Sequence, residues 1–166
     1  MQVKSTVTSF ANPTFLEKLD SLNLETIAKK LMHPESGQGW TPSQVNQAIT
    51  HYKLFLYLIY LYPNRAIAPT PEIDTIWHQH ILDTRKYAQD CQWLFGYFVH
   101  HAPDFSLEND TEKLALSTAF SDMISLFFKH FGIDFSETIY ESKNACASIP
   151  SSQLMFKEAP VATRLH

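Results

Sequence analysis

The chain has 166 residues, a formal charge of −4 with neutral histidines, and 12 Phe and 7 Tyr within a hydrophobic fraction of 45%. That length suits one domain with a substantial core, and the lack of any Lys/Arg run excludes the clustered positive charge of a nucleic-acid surface. Cys91 and Cys146 are too few and too isolated for a disulfide framework or a CxxC site, so they read as reduced thiols of a cytoplasmic protein.

Residues 1–12 read as a loose lead, without the long apolar segment of a secretory signal. From Pro13, the residues Phe15, Leu16, Leu19 and Leu22 give a short helical pattern. Asn23 is placed to cap a second helix carrying Leu24, Ile27, Ala28 and Leu31 at i, i+3, i+4, i+7 spacing. HPESGQG, residues 33–39, is a turn. The next helix has a nearly complete start signal: Thr41 as cap, Pro42 at the first position, Gln44 as capping-box partner, and Trp40 and Val45 spaced as a hydrophobic staple. It is predicted to run to about Tyr62. Its second half, FLYLIYLY, is apolar all round, which marks the central helix of a bundle. This run is far shorter than the ~20 residues of a membrane span.

After a connector, 63–69, Thr70 caps a helix with Pro71 at its first position and Glu72 and Asp74 at its positive end. With no Gly or Pro before Gly96, the helix is predicted to run from 71 to about 92. On a wheel, Ile73, Ile76, Trp77, His80, Thr84, Tyr87, Ala88 and Cys91 share an apolar arc. Thr75, Gln79, Asp83, Lys86 and Asp90 fall on the solvated side. WLFGYFVHHAPDF follows without clear period. Asn109 or Asp110 with Glu112 begins a last long helix striped by Leu116, Phe120, Met123, Phe127 and Phe131 and closed by Gly132. The expected architecture is all-α: one helical domain over 13–141, a bundle of four or five helices with an irregular aromatic and histidine connector. Residues 142–166 form a tail that is either poorly ordered or docks as an arm.

The chemistry concentrates in the 71–103 stretch. His78 and His80 point roughly 200° apart on a regular helix, so they cannot chelate one ion together. His80 faces the core, where it is expected to hydrogen-bond a backbone carbonyl or a tyrosine. His78 lies on a polar flank with Asp74 one turn before it, placed to orient its ring. Asp74 and His78 are thus candidate metal ligands at i, i+4 spacing, with His100 or His101 as a third if the connector folds back at Gly96. Such an imidazole and carboxylate set suits zinc, or ferrous iron as a facial triad. On one continuous helix, only a nearly extended connector would reach His78; a compact one would turn the site inward around His80. The candidate set is therefore Asp74, His78, His80, His100 and His101. The competing reading is a structural hydrogen-bond network, since neither H-E-x-x-H nor a cysteine quartet is present.

Other residues carry less. Cys91 on the apolar arc reads as inert packing, and His130 as a partner for a helix C-terminus. His33 and His51 support no argument, and Tyr52, Tyr57, Tyr60 and Tyr62 could line a pocket, although aromatic residues at helical spacing are more often core.

Asp74, Trp77, His78, His80, Tyr87, Asp90, Cys91, Gly96, His100, His101 and Pro103 together form an ordered pattern that resembles the domain of the plant glycine-rich domain-containing proteins and their bacterial relatives. The resemblance extends from about Phe15 to Phe131. It implies a domain of unknown function and adds weight to a histidine site. The chain shows neither a glycine-rich tail nor an RNA-binding segment, so an RNA-linked role does not follow. Two functional classes remain: a cytoplasmic binding or regulatory module whose histidine seam binds a ligand or metal without chemistry, with a small molecule or protein as partner, and a metal-dependent hydrolase or oxygenase with Asp74, His78 and one of His100 or His101 as ligands. The first ranks higher because no nucleophile or cofactor loop is legible. Neither nucleic acid nor membrane is expected as a partner.

Overall fold

The computed structural model describes residues 13–101 and 110–135. The described residues are helical and contain no strand. The helices are α1 (Phe15–Asp20), α2 (Glu25–Met32), α3 (Pro42–Leu61), α4 (Pro71–Leu82), α5 (Thr84–Phe95) and α6 (Asp110–Phe131). The all-α expectation therefore holds. The lead over 1–12 and the tail over 142–166 lie outside the described residues.

α3 is central because its apolar residues are not confined to one stripe. Tyr52, Phe55, Leu56, Leu58 and Ile59 are all buried, and the helix packs against α1, α2, α4 and α6. Its start is as predicted. The Thr41 hydroxyl accepts from the Gln44 amide at 3.3 Å, and the Gln44 side chain accepts from the Thr41 amide at 2.9 Å. The entry to α3 is shaped by the end of α2. There the Gln38 and Trp40 amides both donate to the Leu31 carbonyl at 3.1 Å, and a Cβ on Gly37 would stand 1.8 Å from the Lys30 carbonyl oxygen. Only glycine lets the chain close so tightly over that helix end.

Two local expectations are corrected. α2 has Leu24 at its cap with no side-chain cap bond; Asn23 instead accepts from the Glu25 amide at 2.9 Å. More consequentially, the helix expected over 71–92 is two helices. Asp83 leaves helical geometry with ψ of 73°, and its side chain accepts from the Lys86 amide at 3.3 Å to start α5. The break was hidden because Asp83 is neither Gly nor Pro, and a side-chain-capped corner needs neither. α5 ends as expected at Gly96, whose φ of 76° is left-handed.

α6 buries Ala119, Met123, Leu126 and Phe127. It is tied to the connector after α3 by the Ala68 amide on the Ala119 carbonyl, 3.2 Å, and by Arg65 on Asp122, 2.7 Å. His130 does more than face a helix end: its Nε2 lies 2.7 Å from the Tyr62 hydroxyl, fastening the end of α6 to the end of α3. Among the described residues, no helix is long and apolar enough to cross a membrane.

Candidate metal centre

The corner at Asp83 decides which residues meet. Folding α5 back against α4 places Tyr87 and Asp90 opposite Trp77 and His80. It also shortens the path from Gly96 to the start of α4, so no fully extended connector is needed. His101 arrives beside Asp74, 27 positions earlier in the chain.

Asp74 is the pivot. It is 5% exposed, and its two carboxylate oxygens serve two imidazoles: Oδ1 lies 2.9 Å from His101 Nε2, and Oδ2 lies 3.3 Å from His78 Nδ1. The imidazole centroids of His78 and His101 are 4.6 Å apart, and the Trp77 and His101 ring centroids are 4.3 Å apart in a T-shaped arrangement. One donor atom from each of Asp74, His78 and His101 falls within 4.8 Å of the others. Donors bound tetrahedrally to one zinc ion at about 2.0–2.1 Å stand roughly 3.3 Å apart. The His101 and His78 contacts, 2.9 and 3.3 Å, are made to different oxygens of Asp74, and one donor atom from each residue lies within 4.8 Å of the others, so closing all three onto one ion needs an approach of up to about 1.5 Å. The His101 side chain is 4% exposed while that of His78 is 38% exposed, so the group opens to solvent on the His78 side.

Of the five sequence candidates, the structure gathers Asp74, His78 and His101. It leaves out His100, which is exposed with its ring 4.8 Å from Phe98. It also separates His80, whose two ring nitrogens are both engaged. Nδ1 lies 2.9 Å from the Tyr52 hydroxyl, the tyrosine partner expected from sequence, and Nε2 lies 2.8 Å from Asp90 Oδ2. Burial holds His80 below its usual range against the pull of Asp90, and burial raises Tyr52 well above its own. A neutral imidazole that accepts from Tyr52 and donates to Asp90 satisfies both directions. Asp90 therefore does not belong to the solvated side: it is half-buried between His80 and Lys86. The wheel misplaced it because a wheel carries no register across the corner.

A third element was invisible in sequence. The Tyr87 hydroxyl accepts from Trp77 Nε1 at 2.9 Å and donates to the Val99 carbonyl at 2.6 Å. Cys91 is buried beside it, its thiol pushed up by that burial. This agrees with inert packing and disfavours a nucleophile.

Fold and cluster together define a class: a small helical domain carrying an aspartate and a histidine on α4 and a second histidine from the segment after α5. The chain belongs to the UCP032817-like family, whose model matches residues 17–121 and so includes all three cluster residues. It is 34% identical over 92 residues to Glycine-rich domain-containing protein 2 of Arabidopsis thaliana, covering 53% of this chain and 11% of that relative. Glycine-rich domain-containing protein 1 of the same plant is 33% identical over 92 residues, again 53% of this chain and 11% of the relative. This chain thus matches about a tenth of the length of these plant proteins. No solved structure matches the chain.

Proposed function

We propose that this domain is a small cytoplasmic binding module in which Asp74, His78 and His101 hold a divalent transition metal, zinc or ferrous iron, and offer it to a small molecule or protein partner. The observation that carries the reading is the convergence of three donor atoms within 4.8 Å around a buried carboxylate. Two imidazoles and a carboxylate form a donor set suited to either ion, and three protein ligands leave a coordination position free. The partial exposure of His78 supplies the route to that position.

A second reading, a metal-dependent hydrolase or oxygenase, draws on the same open position, where a bound ion supplies Lewis acidity or redox chemistry. It ranks below the module because a reaction needs groups beyond the three ligands, and the sequence identifies neither a nucleophile nor a cofactor loop. Elemental analysis of protein purified without affinity tag or chelator, followed by zinc titration, tests the metal reading. Stoichiometric zinc or iron is expected, with at least tenfold weaker binding in His101→Ala. Metal-free protein that also fails to take up added zinc, or equal affinity in His101→Ala, overturns it.

A further inference from the structure

The site rests on a residue pair that ligates nothing. His101 belongs to no helix; it is the last described residue of the segment after α5. Its approach to Asp74 therefore depends on what holds the preceding backbone. One tie is the Tyr87 hydroxyl, which donates to the carbonyl of Val99, two residues upstream, at 2.6 Å, beside a backbone bond between Val99 and the Cys91 thiol. That hydroxyl is itself fixed by Trp77 Nε1 at 2.9 Å, and the Trp77 and His101 rings meet in a T-shaped pair with centroids 4.3 Å apart. Trp77, Tyr87 and Val99 are all at most 2% exposed, so water cannot replace a lost partner.

We infer that Trp77 and Tyr87 are positioning residues for His101: the indole and phenol clamp residues 99–101 so that the imidazole meets Asp74 in its ligating geometry. The placement differs from ordinary core packing in that one hydroxyl joins the α4 helix carrying Asp74 and His78 to the segment carrying His101. Outer residues that orient metal ligands commonly change affinity by about 10- to 100-fold when removed. What His101 is positioned to do rests on the metal reading above; the clamp itself can be read without metal.

The test is Tyr87→Phe compared with Tyr52→Phe. Each removes one buried hydroxyl hydrogen-bonded in the core, but Tyr52 serves His80 and lies outside the cluster. In metal-free protein, nitrogen-edited NMR is expected to show a His101 ring N–H protected from solvent exchange in the wild type and in Tyr52→Phe, and lost in Tyr87→Phe. In zinc titration, Tyr87→Phe is expected to bind at least tenfold more weakly, with Tyr52→Phe unchanged at a similar loss of thermal midpoint. A retained ring N–H in Tyr87→Phe, or equal effects of the two variants on both readouts, overturns the clamp. A wild type that binds no zinc overturns the metal reading alone, because the metal-free NMR comparison still decides the clamp. Should Tyr87→Phe fail to fold, Trp77→Phe takes its place, since it keeps an aromatic ring against His101 but removes the indole N–H. Loss of the His101 ring N–H is again expected, with weaker zinc binding, and a retained ring N–H overturns the clamp.

Discussion

Replacing His80 with alanine separates the buried histidine from the site histidine two positions earlier. His80 is 1% exposed, and its removal leaves the Tyr52 hydroxyl, itself fully buried, without its partner. An orphaned buried hydroxyl costs about 1–3 kcal/mol. The lost imidazole also leaves a cavity of roughly 50–60 Å³, which at about 24 cal/mol per Å³ adds a little over 1 kcal/mol. Asp90 contributes little to the loss, since it keeps Lys86 and partial contact with water. The expected destabilisation is about 3 kcal/mol, or roughly 6–12 °C in the thermal midpoint for a domain of this size. His78→Ala removes a side chain that is 38% exposed and is expected to cost less than about 1 kcal/mol. Urea and thermal unfolding monitored by circular dichroism read both. The double variant Tyr52→Phe/His80→Ala, which removes the orphan, should recover about 1 kcal/mol relative to the sum of the single changes. Equal midpoint shifts for His80→Ala and His78→Ala would refute the opposite placement of the two rings.

The remaining predictions concern pH, caps and glycines. Burial holds the His51 imidazole below its usual range, against the opposing pull of Glu72, and burial lowers His80 likewise. Both bind a proton less readily folded than unfolded, so stability is complete above the unfolded value of about 6.5 and falls as pH drops through the depressed folded values. Urea midpoints should decline on acidification over that range, and His51→Gln should flatten part of the slope; a midpoint that rises contradicts the sign. Thr41→Ala breaks the reciprocal cap of α3 and should cost about 1 kcal/mol by chemical denaturation, whereas a change within error would mean the cap contributes nothing. Gly96→Ala meets open space and carries only the left-handed φ, for a loss of about 1 kcal/mol, while Gly37→Ala drives a methyl into the Lys30 carbonyl and should cost clearly more. The reverse order of their unfolding midpoints would be inconsistent with the close approach at Gly37.

Most of the secondary structure is local chemistry, which is why so much of it is legible in order along the chain. Thr41, Pro42 and Gln44 specify the start of α3 through bonds within four residues of one another, and FLYLIYLY announces a helix buried on several sides. The same holds for Thr70 and Pro71 at α4 and for the stripe of α6. The opposite aims of His78 and His80 follow from helical geometry alone, as does the pairing of Asp74 with His78 one turn apart. What tertiary structure decided was the meeting of distant segments. The corner at Asp83 rests on one side-chain cap that a continuous helix does not betray, and it alone sets the register of α5 on α4. From that register follow Asp90 on His80, Tyr87 on Trp77 and Val99, and the choice of His101 over His100 as the partner of Asp74. Adjacent histidines in a connector are equivalent in sequence; only the packing that holds Val99 tells which imidazole reaches the buried carboxylate.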